Sequence, residues 1–310
     1  MAIHSRLWAI TCLFNPAGYR VREENYRVFR KHLDLPLVTV ELAFDGPFTL
    51  SEPDADILIQ ISGGDRLWQK ERLLNLALQA LPDECDQVLW IDADIVPCDP
   101  AWTSEIGLAL ERASVVQAFG MVNMLGPSGE TMLRSMSTML ALSQIGESEL
   151  ILSATLDRSK GAPCSGHAWA ARREVVQEHG FYDGCIVGGG DTAFLCAATG
   201  DFEKVIQMHQ MGEAQQKRYL DWATKIHRKV TQGVGVLDCE IDHLWHGTLE
   251  NRKGKLRHIE LSHIGFDPYV DVTLDENGVW RWASDRPELH GHVRNYFLAR
   301  REDEAGILTK

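Results

Sequence analysis

Val88-Leu89-Trp90-Ile91-Asp92-Ala93-Asp94-Ile95-Val96-Pro97 is the stretch that decides the reading of this chain. Roughly five apolar residues without helical spacing predict a buried strand. Two acids, Asp92 and Asp94, then stand one residue apart at its carboxyl end. Paired carboxylates offer hard oxygen ligands to a divalent cation, and the carboxyl edge of an open α/β sheet is where ligands bind. A cation held there can carry a diphosphate, which points to an activated, phosphate-bearing substrate. Taken alone, the same residues also read as a solvated Asp-rich turn after a core strand.

Working outward, strands alternate with helices through the first half. Apolar runs at 7–14, 37–42 and 57–61 predict strands. Val21, Tyr26, Phe29 and Leu33 recur at helical spacing, as do Leu67, Leu74, Leu78 and Leu81, predicting helices over 22–33 and 67–81. A helix over 103–112 and a strand over 115–122 follow. This rhythm predicts an α/β fold with a mostly parallel sheet covered by helices on both faces. After Gly126-Pro127-Ser128-Gly129 it breaks: 127–165 is rich in Met, Ser and Gly and reads equally as a lid, an acceptor-side insertion or a surface excursion. Helices are expected over 173–179, from 192 and over 213–230, and a strand over 237–245. Asn277-Gly278 between Leu274 and the alternating aromatics Trp280 and Trp282 predicts a hairpin. A polar helical tail runs from Pro287.

At 310 residues, 45% hydrophobic and 24% charged, the composition is that of an ordinary globular protein. The net charge of −13 lacks the basic footprint of a non-specific nucleic-acid binder. Residues 204–260 nevertheless carry ten Lys/Arg against seven Asp/Glu, a local +3 against −16 elsewhere, a possible wall for an anionic ligand. Seven cysteines without a C-x-x-C pair fit a reducing, cytoplasmic setting. No apolar run reaches the ~18 residues of a membrane helix, and 7–14 is too short for a secretory signal.

Three further motifs bear chemistry. Gly188-Gly189-Gly190-Asp191 places an acid beside bare backbone at a helix start, which suits a general base taking a proton from a hydroxyl; a capped tight turn is the plainer reading. His243-Leu244-Trp245-His246-Gly247, followed by Arg252, offers an imidazole of the borderline kind that suits Mn²⁺ better than Mg²⁺. On a strand only one of the two rings faces a site; His246 is the expected ligand and His243 the reserve. Lys70, after Gly63-Gly64-Asp65, sits where a loop entering a helix can receive a phosphate, although neither the Walker nor the dinucleotide fingerprint is present.

In this order, the motifs resemble the GT-A class of nucleotide-sugar-dependent glycosyltransferases, galactosyltransferase-like members above all, from about Leu7 to Arg257. The resemblance implies a Rossmann-like GT-A domain over 1–265, with a nucleotide-sugar-binding half (1–125) and an acceptor-side half (126–265), and an extension over 266–310. It implies Asp92-Ala93-Asp94 as the D-x-D motif, with Asp92, Asp94 and His246 at the metal. Asp191 is then the base of an inverting transfer, and Phe14, Asn15, Lys70, Asp92, Gly189, Gly190 and Arg252 contact the donor. Lys253 and Lys255 are candidates to stabilise the leaving phosphates. Mn²⁺ or Mg²⁺ and a UDP-sugar are the implied cofactor and donor, and the acceptor is a glycan or a hydroxymethylated base in DNA. The family's second acid after the glycines is missing, since Thr192 follows Asp191. Two other classes compete. Asp92-Ala93-Asp94-Ile95-Val96 also fits the opening motif of haloacid-dehalogenase-like phosphatases, but Leu195 stands where their late acidic pair needs its second Asp. A non-catalytic nucleotide-sugar-binding protein is the third reading.

Overall fold

The computed structural model describes residues 6–145 and 162–304. Strands run in chain order as β1 (Leu7–Phe14), β2 (Leu37–Ala43), β3 (Ile57–Ser62), β4 (Gln87–Ile91), β5 (Ile95–Pro97), β6 (Val115–Gln117), β7 (Met121–Leu125), β8 (Thr131–Met136), β9 (Ala168–Arg172), β10 (Val234–Val236), β11 (Glu240–His243), β12 (Val272–Leu274) and β13 (Trp280–Trp282). Helices are α1 (Arg20–His32), α2 (Lys70–Gln79), α3 (Trp102–Leu110), α4 (Thr138–Ile145), α5 (Arg173–Val176), α6 (Gly190–Thr199), α7 (Phe202–His209), α8 (Glu213–Lys229), α9 (Leu256–Ile264) and α10 (Pro287–Ala299).

A seven-stranded sheet has the order β10-β6-β9-β4-β1-β2-β3 and is parallel except for β9, which is antiparallel to both neighbours. Its central strands are apolar on both sides because helices cover both faces. Ile10, Val88 and Trp90 lie in one core with Leu73, Leu74 and Leu78 of α2, whereas Ala9, Leu89 and Ile91 lie in the other with Tyr26 and Phe29 of α1. Each fully buried Leu or Phe contributes about 1.5–3 kcal/mol. A four-stranded sheet, β5-β11-β7-β8, and the β12-β13 hairpin complete the architecture. This is the expected mixed α/β fold with its mostly parallel sheet, flanking helices and small C-terminal hairpin. No helix among the described residues is long and apolar enough to cross a membrane.

The site follows from one topological fact. From β1 the chain crosses to β2 on one side, and β4 later returns to pair with β1 on the other. The connections leaving the carboxyl ends of β1 and β4 therefore run in opposite directions, leaving the crevice in which open sheets bind ligands. Thr11 bridges the two strands there, donating its hydroxyl to the Ile91 carbonyl at 2.7 Å.

Several elements differ from expectation. The strand expected over 115–122 is two strands in different sheets, β6 and β7. They part at Gly120, where a Cβ would stand 2.8 Å from the Leu237 carbonyl oxygen. The helix expected over 67–81 begins only at Lys70, because Gln69 spends its side chain on Trp280, accepting its N–H and donating to its carbonyl. The helix over 173–179 is a single turn, α5, and the strand over 237–245 shortens to β11. The 127–165 segment, read as a lid, an insertion or a surface excursion, contains the regular elements β8, which pairs with β7, and α4; its residues 146–161 lie outside the described residues.

Candidate active site

A cavity of about 580 Å³ opens at the ends of β1 and β4. It is lined by Thr11–Phe14, by Asp92–Asp94 from the β4–β5 turn, and by Lys70, Gly189, Asp191, His243, His246 and Arg252. The β4–β5 turn is held by main-chain bonds at each end. Asp92 N–H donates to the His167 carbonyl at 2.9 Å, and the Asp94 carbonyl accepts from Leu244 N–H at 2.8 Å. The second of these ties the turn to the segment that carries both histidines.

Asp94, His243 and His246 form one cluster, with ligand atoms all within 4.8 Å of one another. His246 Nε2 lies 3.0 Å from Asp94 Oδ2 and 3.1 Å from His243 Nε2. His243 Nε2 is 3.9 Å from Asp94 Oδ1, a buried oxygen with no hydrogen-bond partner among the described residues. A buried orphan acceptor is costly, and several lone pairs converging on one small volume repel unless a cation stands among them. Arg252 supplies part of that charge, donating to His246 Nε2 at 2.9 Å. Burial keeps His243 neutral, well below the usual imidazole range, which is the ligating form. At Asp94 burial works to raise the carboxyl, but the neighbouring His246 and His243 rings outweigh it and hold the group well below the carboxylate range. A borderline set of two imidazoles and one carboxylate fits Mn²⁺ or a similar divalent ion. His243 ends β11 and His246 stands in the loop beyond, so the alternation that would have parted them on a continuous strand does not apply.

Lining the same cavity, a second cluster forms around Lys70. Its ammonium lies 2.5 Å from Asp92 Oδ1 and donates to both Asp191 oxygens, at 3.1 and 2.9 Å. Asp92, expected at the metal, thus faces Lys70, and His243 stands with Asp94 and His246 in its place. Burial raises the Asp92 carboxyl, and the nearby Asp191 and Asp94 charges add to the effect; Lys70 offsets only part of it. Lys70 itself is held well above its usual value: burial works against its charge, but Asp191, Asp92 and Glu71 together overcome that cost.

Asp191 lies in the first turn of α6, preceded by Gly188 and Gly189 at φ +84° and +107°. A Cβ on Gly189 would stand 2.6 Å from His209 and 3.0 Å from His258, two rings stacked 3.9 Å apart. Gly190 backs onto Glu71, whose Oε1 would lie 2.1 Å from a Cβ there. The three glycines are therefore required by conformation or by contact, and they seat Asp191 against Lys70.

Phe14 lines the cavity, edge-on to Trp68. Asn15 does not; it lines a neighbouring cavity of about 510 Å³, and its side chain closes its own loop by bonding Tyr19 N–H and carbonyl at 2.9 and 2.7 Å. Arg252, Lys253 and Lys255 all border the main cavity, with Lys253 also paired to Glu260 at 3.1 Å. Sequence reasoning passed over Glu71, Trp68, Arg257, His209, His258 and the tail residues Arg300 and Glu302. The apolar spacing of Leu289, Val293, Tyr296 and Phe297, all buried, was the available signal that the tail is docked on the body.

No protein-family model matches the chain, and neither does any curated protein. Among solved structures it is similar to Staphylococcus aureus TarS residues 1–349, at 11% identity over 96% of this chain and 71% of that one, TM-score 0.41. It is also similar to glucosyl-3-phosphoglycerate synthase from Mycobacterium tuberculosis, solved with Mn²⁺, UDP and phosphoglyceric acid, at 13% identity over 91% and 89%, TM-score 0.41. A third is the catalytic domain of Drosophila β1,4-galactosyltransferase 7 with xylobiose, at 14% identity over 61% of this chain and 58% of that one, TM-score 0.30. Likeness at this level concerns overall architecture, and the functional reading rests on the geometry above.

Proposed function

We propose that the protein is a metal-dependent glycosyltransferase that moves a sugar from a nucleoside-diphosphate donor, UDP-linked by preference, to an acceptor hydroxyl. One observation carries the reading: the Asp94–His243–His246 cluster, with its orphan carboxylate oxygen, shares a cavity with a lysine-held aspartate in the mouth of a helix. Asp94, His243 and His246 would hold the divalent ion, Mn²⁺ or Mg²⁺. When bound, that ion offsets the charge developing on the departing diphosphate as a Lewis acid. Arg252, against the same ring, adds a fixed cation where that charge appears.

Asp191 takes the proton of the acceptor hydroxyl, and attack opposite the leaving group inverts the sugar's configuration. Lys70, in contact with both Asp191 and Asp92, fixes the two carboxylates in direction. Asp92 serves the donor through Lys70 rather than as a fourth metal ligand. Phe14 and Trp68 form an apolar wall for the nucleoside, while Asn15 and Gly190 act indirectly, shaping the loop and the helix that carry their neighbours. A carbohydrate is the acceptor class proposed; a hydroxymethylated DNA base enters the same test.

The test is a screen of nucleotide sugars with and without Mn²⁺, reading released nucleoside diphosphate in the presence of candidate acceptors. Metal-dependent release that rises with acceptor, and a product of inverted anomeric configuration by NMR, is the expected result. Hydrolysis of a generic phosphate ester with no nucleotide sugar consumed would replace this reading with the phosphatase one.

A further inference from the structure

The main cavity carries more cations than acids. Among the described residues, seven lysines and arginines line it against four carboxylates. Three of those acids are engaged, Asp92 and Asp191 with Lys70 and Asp94 with His246, and the fourth, Glu250, is exposed. Arg22 and Arg300 share the buried Glu302, and Lys253 pairs with Glu260. Arg257 has no carboxylate partner among the described residues. Its guanidinium donates instead to the Tyr296 hydroxyl at 2.7 Å and, through Nε, to His258 Nε2 at 3.3 Å. A guanidinium has five N–H donors; two are spent here and three remain.

A chain of contacts joins Arg257 to the glycines that seat Asp191. His258, its imidazole partner, lies flat on His209 with the planes 6° from parallel. Both rings abut Gly189, two residues before Asp191; a Cβ there would stand 2.6 Å from His209 Cε1 and 2.8 Å from its Nε2. His209 is 7% exposed and lines the cavity, yet it makes no hydrogen bond among the described residues. Burial, with Arg257 adding to the effect, pushes this ring down to about 3, so it is neutral and carries one N–H. That donor is available to whatever fills the cavity. The diphosphate of the donor has its own charges, the Asp94–His243–His246 site and Arg252.

We propose that Arg257 and His209, with the exposed Lys255, bind an anionic group, phosphate or carboxylate, carried by the acceptor. The assignment to the acceptor rests on the reading of Asp191 as the base: the stacked rings back the glycine turn of the carboxylate that receives the acceptor hydroxyl. Guanidinium matches either anion with paired N–H donors, and these charge-assisted bonds are the strong ones. The His209 N–H adds a neutral donor from the same wall. Lys255 lines the cavity without an acid partner among the described residues and contributes charge from its exposed side. The acceptor is then a phosphorylated or carboxylated carbohydrate, and a neutral sugar leaves Arg257 uncompensated.

The experiment titrates sulfate, a tetrahedral dianion, and in a second arm acetate into protein saturated with Mn²⁺ and UDP, which occupy the donor positions. Calorimetry compares wild type, Arg257→Gln and Lys255→Gln. The expected result is an anion site in the wild type that Arg257→Gln weakens about 10–100-fold while UDP affinity stays unchanged. Lys255→Gln, which leaves the packing around Tyr296 alone, should lose a smaller factor. Tighter sulfate points to a phosphorylated acceptor, tighter acetate to a carboxylated one. Wild-type protein that binds neither anion would overturn the proposal, a result that does not depend on any variant folding. Equal anion affinity in Arg257→Gln would do the same, and so would loss of UDP affinity there, which would give the guanidinium to the donor. Protein that takes up neither Mn²⁺ nor UDP sinks the glycosyltransferase reading instead; the same titrations of the free protein then decide the anion site by its dependence on Arg257.

Discussion

Asp92 and Asp94 leave the same strand one residue apart and finish in opposite surroundings. Asp92 turns toward Lys70, between two other carboxylates, and burial with like charge raises it. Asp94 turns toward two imidazoles and a guanidinium, which more than offset its burial and lower it. With Ala93 between them, the two carboxylates line one cavity but meet different partners. What differs is the company each keeps, since their sequence neighbourhoods are nearly the same. The two acids of a D-x-D pair can thus join different clusters: here Asp94 stands with His243 and His246, and Asp92 stands against Lys70.

That contrast can be broken from either end. Asp94→Ala should have the largest effect, reducing Mn²⁺-dependent release of nucleoside diphosphate about a thousandfold, the several kcal/mol that a Lewis acid supplies. His243→Ala should lower Mn²⁺ affinity as His246→Ala does, whereas Asp92→Asn should leave Mn²⁺ affinity nearly intact; tight binding by Asp94→Ala but not by Asp92→Asn would invert the comparison. Removing the cation of the other cluster, Lys70→Ala, leaves Asp92 and Asp191 partly buried and unpaired, and urea unfolding should register a loss of about 3 kcal/mol or more. Asp191→Asn should lower turnover about a hundredfold or more while calorimetry finds donor binding unchanged. Normal turnover by that variant would remove the base assignment.

The smallest effect concerns pH. Burial pushes the Glu71 carboxyl up to about 8, with Asp191 adding to the shift and Lys70 only partly offsetting it. An unfolded glutamate titrates near 4.5. Between those values the folded chain holds a proton that the unfolded chain has released, so stability falls as pH rises through that window. The thermal midpoint of Glu71→Gln should accordingly decline less between pH 5 and 9 than that of the wild type. Parallel profiles would place the ionised Glu71 in a better-compensated position beside Lys70 than its burial implies.

Much of this site could be read along the chain. Asp94, His246, Asp191, Lys70 and Arg252 all stand out by residue type and by their place next to glycines or strand ends, and all line the same cavity. Asn15 misled because an Asn after a first strand reads equally as a ligand contact or as a loop closure, and its two bonds to Tyr19 satisfy it locally. His243 was ranked below His246 because strand alternation separates residues three apart; the strand ends at His243, so the rule lapses at the position where it was applied. Glu71 was hidden by its charge, which in a helix's first turn ordinarily means solvent, whereas here Gly190 leaves room for it inside.

Local order and chemistry were properties of the sequence alone. Alternating apolar runs specify a covered parallel sheet because hydrophobic spacing is a short-range property, and the acids and imidazoles announce themselves by type. Which acid meets which cation was decided only by the tertiary structure, through the β1–β4 crevice, the turn at Ala93 and the return of residues 300–303 to the start of α1. Such pairings join residues as many as 280 positions apart, and charge preference depends on burial and distance, quantities that exist only once the chain has closed on itself.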